Sequence, residues 1–260
     1  MLETIYSAWR HWDLVLSFAL RDIKARYKQT ALGVLWALLQ PLSMMLVFTL
    51  VFSVFAKVPS DGVPYPIFAY SALIFWTFFA NTISTGTISM VANAALIRKI
   101  YFPRETLITS VLLAGCIDLA IACVLFGAML AYYHFPITVT VLWVIPLLGL
   151  QMLLALAVTS LTAAAHVNFR DIGHGLPLVL QLWMFSSPVG YPMSVIPEWL
   201  RPLYLLNPMA AVIDGYRRAV LLGTAPDLPA LATSAVFTVA LALVAFPVFK
   251  RAERTFADVI

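Results

Sequence analysis

Residues 31–56 read ALGVLWALLQPLSMMLVFTLVFSVFA, an unbroken run without Asp, Glu, Lys or Arg. A helix crosses the hydrocarbon of a bilayer in about 20 apolar residues, so this stretch is long enough to span, with Pro41 placed to kink it near its start. Lys57 ends the run, and Pro64-Tyr65-Pro66 marks a turn beyond the lipid. Five further segments of this kind follow, at 65–91, 106–133, 141–165, 175–195 and 228–249. The third segment is interrupted only by Asp118, and the fourth follows the turn at His134-Phe135-Pro136. The fifth carries Pro177, Pro188, Gly190 and Pro192, so a bent helix is expected there, whose freed carbonyls need partners from protein or water. The pattern predicts an all-α integral membrane fold with six transmembrane helices.

Composition supports this from outside the spans. Of 260 residues, 62% are hydrophobic and 11% charged, against about 45–50% and about 25% in a soluble domain. That much apolar surface cannot be hidden in water at this length, which excludes a soluble globule. The net charge of +4 comes from residues clustered between the apolar runs, so it bears on orientation and gives no reason to expect a nucleic-acid partner. With a cytoplasmic N-terminus, twelve of the sixteen basic residues fall inside: Arg10, Arg21, Lys24, Arg26 and Lys28; Arg98, Lys99 and Arg104; Arg170; and Lys250, Arg251 and Arg254. Lys57, Arg201, Arg217 and Arg218 fall outside, and both termini are predicted to be cytoplasmic.

Three of those outer charges lie in the stretch 196–227. It reads as two short helices, one near 197–206 and one opening at Asn207-Pro208, where Asn caps and Pro takes the first helical position. Glu198 and Asp214 are spaced to mute Arg201, Arg217 and Arg218 on a helix face. A re-entrant outer hairpin between helices five and six is expected, because a seventh crossing would send Lys250, Arg251 and Arg254 outward.

Ahead of the first span, Trp12, Val15, Leu16, Ala19, Leu20, Ile23 and Tyr27 recur at helical spacing, with Asp13, Ser17, Arg21, Lys24 and Lys28 on another side. An amphipathic helix is predicted along the inner membrane surface, basic face toward acidic head groups, serving as an anchor or as a docking surface for a cytoplasmic partner. No short basic start precedes the first apolar run, so no cleavable signal peptide is expected. The domain plan is an interface helix in 1–30 and a transmembrane domain in 31–260. Cys116 and Cys123 are separated by about 10 Å of helical rise, beyond disulfide reach, and read as packing residues.

Signatures of chemistry are missing. There is no GxxxxGK[ST] to cradle phosphates, no HExxH and no GxSxG, and His166 and His174 are too far apart for an i, i+4 zinc pair. His11 beside Trp12 and Asp13 reads as interfacial. No catalytic, cofactor-binding or metal residue is therefore expected, and the chain reads as moving or scaffolding something. Asp118 lies about 18 Å from either end of its helix, near the bilayer midplane. An ionisable group there is either a proton relay or gate, or a protonated or hydrogen-bonded Asp that pins two helices. Aromatic residues make up 13% of the chain. Taken together they could line a passage on which sugar rings slide; taken singly, each reads as lipid-facing bulk or an interfacial belt.

Four local patterns together resemble one family. They are Arg21-Asp22-Ile23-Lys24-Ala25-Arg26-Tyr27-Lys28-Gln29-Thr30 with Leu32-Gly33-Val34-Leu35-Trp36 and Gln40-Pro41; Leu96-Ile97-Arg98-Lys99-Ile100-Tyr101-Phe102-Pro103-Arg104-Glu105; Val167-Asn168-Phe169-Arg170-Asp171-Ile172 with Ser187-Pro188-Val189 and Tyr191-Pro192; and Leu206-Asn207-Pro208-Met209 with Tyr216-Arg217-Arg218. In this order, over nearly the whole chain, they resemble the membrane permease subunit of polysaccharide ABC exporters, the type-2 permeases that export O-antigen, lipopolysaccharide or capsule.

The resemblance implies a homodimer in the bacterial inner membrane, bound to two copies of a separate ATPase that holds the ATP and magnesium, and enclosing a passage for a lipid-linked glycan. It implies coupling to that ATPase through Arg98, Lys99, Tyr101, Phe102, Arg104 and Glu105, with a second contact at Arg170 and Asp171. The N-terminal helix would be a gate or interface element through Arg21, Lys24, Arg26, Tyr27 and Lys28. Phe48, Phe52, Tyr70, Phe75, Trp76, Phe79, Trp183 and Tyr191 would line the passage. Rival readings are a drug or lipid exporter of the same architecture, a membrane-embedded transferase using Asp118 or His166, and a passive channel or structural membrane protein. The transferase is disfavoured by the lack of a paired acid or DxD.

Overall fold

The structure, a computed structural model, describes residues 10–28, 33 and 35–259. Residues 1–9 and the expected boundary near 30/31, with Gln29, Thr30, Leu32 and Val34 of the first motif, lie outside the described residues. All regular structure among the described residues is helical. Helix α1, Trp12–Tyr27, precedes α2, Leu35–Phe48, which runs on through a wider i→i+5 stretch at Thr49–Phe55. Next come α3, Tyr65–Ala92; the short α4, Ala94–Lys99; and α5, Glu105–Tyr132. A 3₁₀ turn at Val139–Trp143 leads into α6, Val144–Asn168, followed by α7, Asp171–Phe185. The chain ends with α8, Arg201–Leu205; α9, Pro208–Arg217; α10, Leu228–Ala252; and α11, Phe256–Val259.

Five of these helical segments are long and apolar enough to cross a membrane: Leu35–Phe55, Tyr65–Ala92, Glu105–Tyr132, Val139–Asn168 and Leu228–Thr255. The sixth expected segment, 175–195, departs from a spanning helix. Helix α7 has 15 residues, about 22 Å of rise, and stops ten residues short of the expected end. The physical reason lies in the prolines: Pro188 disfavours helical backbone at Ser187, and the chain turns through 186–191 instead.

Helix α3 is the centre post. Its apolar window is 78% buried, against 17–33% for the other four spans. It packs on α5 and α6, while α6 packs in turn on α10. A Cβ on Gly86 would lie 2.4 Å from Thr159 Cγ2, so the close crossing of α3 and α6 requires glycine there. Across the same interface Gln151 Nε2 donates to the Phe75 carbonyl at 2.7 Å, and its Oε1 accepts from Tyr216 OH at 2.8 Å. The Phe75 and Tyr216 rings stack with centroids 3.5 Å apart. One buried amide thus ties α3, α6 and α9 together.

The two ends of the bundle are distinguished by what gathers there. At one end a second core joins Met90, Ile97, Phe102, Leu107, Val167, Phe249 and Phe256, with Leu14 and Phe18 of α1 packed on it. Lys250 Nζ donates to Glu105 Oε1 at 3.0 Å and pairs with Glu253, and Glu253 accepts from the Arg104 backbone N–H at 3.1 Å. At the other end Tyr65 OH donates to the Gly190 carbonyl at 2.7 Å, Ser194 Oγ to Asp61 at 2.7 Å, and Thr140 Oγ1 to the Ala219 carbonyl at 2.7 Å. His166 Nδ1 accepts from the Gly173 N–H at 3.2 Å, so α7 starts at the first end, and its C-terminal continuation meets α3 at the other.

Arg217 holds that far end closed. Of the two arginines, Arg218 is the one that Asp214 pairs with directly, at 2.6 Å. Arg217 turns inward, 4% exposed, and donates to the carbonyls of Pro188, Tyr191 (3.1 Å), Val189 (2.5 Å) and Phe68 (3.4 Å). Its guanidinium also sits 3.6 Å from the centre of the Phe68 ring. Burial pulls its pKa down, opposed by Asp214, Tyr65 and Asp61. The carbonyls freed by the proline-rich break are therefore answered by one side chain from α9. Asn207 adds a second tie: it caps α9 by accepting from Met209 N, accepts from Trp183 Nε1 at 2.8 Å, and donates to the Ser186 carbonyl at 3.0 Å. Replacing Arg217 with Ala should strand these carbonyls and cost about 3 kcal/mol or more, and Arg217→Lys should recover only a fraction of it. Thermal unfolding of the detergent-purified protein reads the difference; an unchanged midpoint in Arg217→Ala would remove the pin.

Candidate functional site

Helix α1 does not simply lie on a surface. It packs lengthwise against α5, with Val15 and Ala19 buried in the contact and Phe18 and Phe102 rings 5.7 Å apart. Farther along, Arg26 Nη1 and Tyr27 OH both donate to the Asp118 carboxylate. This pair of bonds gives the expected interface helix a tie to the bundle: an acid deep in α5 draws the end of α1 toward it. Asp118 thereby joins α1 to α5. Burial first, and then the bond to Asp118, push the Tyr27 phenol up to about 12, while Arg26 opposes; Tyr27 stays protonated and donating at neutral pH. Arg21, Lys24 and Lys28 are exposed on the opposite side, with Arg21 paired to Asp22.

The residues expected to couple the chain to an ATPase separate into two groups. Arg98 and Lys99 in the last turn of α4 and Tyr101 just beyond it are exposed, Tyr101 to 88%, and so are Arg170 and Asp171 where α7 begins. Phe102, Arg104 and Glu105 are buried within this chain. Phe102 packs on Phe18, and Arg104 and Glu105 hold the end of α10 through Glu253 and Lys250. They fix the loop in place; the exposed residues are what it presents.

The aromatic residues separate in a similar way. Tyr70, Phe75 and Phe79 are sealed in the core, so they do not line a passage along this chain's surface. Tyr70 OH donates to the Ala122 carbonyl at 3.3 Å, Phe75 is stacked on Tyr216, and Phe79 meets Trp183 edge-on at 5.2 Å. The reason is the central position of α3, which is covered on nearly every face. Trp76 borders a groove between α2, α3 and α7. Phe48 is buried between Phe52 and Phe185, while Phe52, Trp183 and Tyr191 are half-buried, Tyr191 sharing a hydroxyl bond with Tyr204.

Residues without an expected role line the same cavity as Asp118. Gln40 on α2 and Asn81 on α3 face each other, Asn81 Nδ2 donating to Gln40 Oε1 at 3.4 Å, beside Thr77, Thr82 and Thr85. The available signal was simple: neutral amides inside apolar runs cost free energy unless something polar meets them.

These features define a multi-pass membrane protein whose inner polar cluster is built by packing and whose exposed basic tip stands at the end where the first and last described helices meet. Residues 14–221 match the sequence model of the family described as ABC-2 type transporter. The chain is 32% identical over 264 residues to the O-antigen export system permease protein RfbA of Myxococcus xanthus, covering all of both chains. It is 26% identical to an O-antigen export system permease protein RfbA of Klebsiella pneumoniae, over 96% of this chain and 95% of the relative. It is 25% identical to the polysialic acid transport protein KpsM of Escherichia coli, over 90% of this chain and 91% of the relative. The chain belongs to the ABC-2 type transporter family.

A double-mutant cycle checks the pin. Arg26→Gln and Asp118→Asn should each destabilise the protein, and the double variant should cost less than their sum by about 1 kcal/mol for a part-solvated pair. Strict additivity in thermal unfolding would show that the two side chains do not act together.

Proposed function

We propose that the chain is the membrane subunit of an ATP-driven exporter that moves a lipid-linked polysaccharide, of O-antigen or a similar type, across the bacterial inner membrane. It works as a homodimer with two copies of a separate ATPase subunit, which supplies the ATP and magnesium chemistry. The observation that carries this reading is the exposed Arg98, Lys99 and Tyr101 tip, locked from behind by Phe102, Arg104 and Glu105. A rigid basic knob of this kind transmits a push, because it cannot fold away when a partner grips it. The export functions named for three relatives over 90% or more of this chain agree with the cargo class.

The chain crosses six times, with both termini cytoplasmic and 186–222 on the outer side. Two findings support this. Helix α7 starts beside His166 and its continuation bonds Tyr65 at the opposite end of the bundle, and the first and last described helices share one core. Closure of the ATPase pair would press the exposed tip and the Arg170-Asp171 turn, and so part the two membrane halves.

The double variant Arg98→Glu, Lys99→Glu should abolish export in cells while leaving membrane insertion and chain level unchanged; cell-surface glycan staining against a membrane immunoblot reads both. Export at the normal rate would sink the coupling assignment. For topology, Lys57→Cys should be labelled by an impermeant maleimide from outside intact spheroplasts, and Val259→Cys only after permeabilisation. Labelling of both from outside would overturn the six-crossing arrangement.

A further inference from the structure

A cavity of about 270 Å³ opens between α1, α2, α3 and α5, with the Arg26–Tyr27–Asp118 cluster in its wall. We propose that it is a subsite for a single neutral pyranose unit of the cargo, an inference that rests on the glycan-export reading above. Its size is the first argument. Small-molecule sites run from about 300 to 1,000 Å³, so this one takes a single ring and no more.

Charge decides the ligand class. Arg26 taken alone would suit a phosphate, but Asp118 already binds it and contributes the opposite charge. A phosphate would have to displace a carboxylate and then sit against it; a cation would meet Arg26. A neutral ligand rich in hydroxyls meets no such conflict. Carboxylate oxygens accept from hydroxyls, a guanidinium donates to them, and the Gln40 and Asn81 amides do both. Thr82, 2% exposed, also borders the cavity, and its Oγ1 has no hydrogen-bond partner among the described residues. Trp36, 54% exposed, also lines the cavity, and an indole can pack on the C–H side of a sugar ring.

The cavity also leads somewhere. Gln40, Thr77 and Asn81 form part of its wall and equally part of the wall of the groove between α2, α3 and α7, about 370 Å³, which Ser43, Ser84 and Gln181 continue. The bond between Asn81 and Gln40, at 3.4 Å, is long for an amide pair. A ring leaving the cavity would pass between these two amides into a second neutral, hydrogen-bonding hollow. Along this path amides and hydroxyls stand where an aromatic lining was expected, and Tyr70, Phe75 and Phe79 are buried in the core.

The test uses the full chain purified with its ATPase in nanodiscs. Intrinsic tryptophan fluorescence is titrated with a panel of methyl hexopyranosides and, separately, with inorganic pyrophosphate, taking the Trp36→Phe complex as the blank. At least one glycoside should give a saturable change that is absent from the blank, and pyrophosphate should give none. Asn81→Ala and Gln40→Ala should each weaken that glycoside about tenfold, the effect of losing one hydrogen bond; Asn81→Ser serves if Asn81→Ala fails to fold. Saturation by pyrophosphate at a lower concentration than by any glycoside overturns the proposal, as does the lack of any saturable glycoside response in a complex that hydrolyses ATP and exports. Saturable glycoside binding by a chain that retains no ATPase would uphold the site while sinking the exporter reading.

Discussion

A backbone group that leaves a helix and is shut away from water must find its partner in the protein. The rest of this structure follows from how that demand is met at one place. Pro188 and Pro192 break the segment after α7, and the carbonyls released there converge on the guanidinium of Arg217. Arginine suits the task because its donors fan out in a fixed plane and it stays charged when buried. The far end of the bundle is thereby a closed polar knot, with Asn207 and Tyr65 as lesser ties.

The opposite end is closed by different physics. There an apolar core and a chain of ion pairs from Arg104 and Glu105 to Lys250 and Glu253 bring the beginning, middle and end of the sequence together. Residues that looked like contacts for a partner turn out to be the mounting for the few that are exposed. Force applied at Arg98, Lys99 and Tyr101 therefore reaches α1, α5 and α10 without first bending the loop, since packed interiors transmit displacement with little compression.

Between the two ends, Asp118 joins α1 to the bundle and so shapes a polar hollow next to the central helix. Pinning and lining are two consequences of one placement. The Asp118 carboxylate accepts from Tyr27 and also offsets the charge of Arg26, so the wall of the hollow carries a paired charge. Helix α3 pays in aromatic surface for its central position, and the polar work passes to the amides of α2 and α3.

Much of this was legible in the residues. Uncharged runs placed five of the six expected segments as long helices, Asn207-Pro208 marked the start of α9, and Asp118 stood out as an acid needing a partner. Those features follow from local composition, because lipid enforces the same rule on every residue along a span. What the sequence could not assign was direction around each helix: that Arg217 points in while Arg218 points out, that Phe75 and Phe79 are core, and that Glu105 belongs to Lys250 rather than to a partner. Adjacent residues differ by about 100° on a helix. In a chain apolar on almost every face, only the packing of one helix on the next decides which direction is inward.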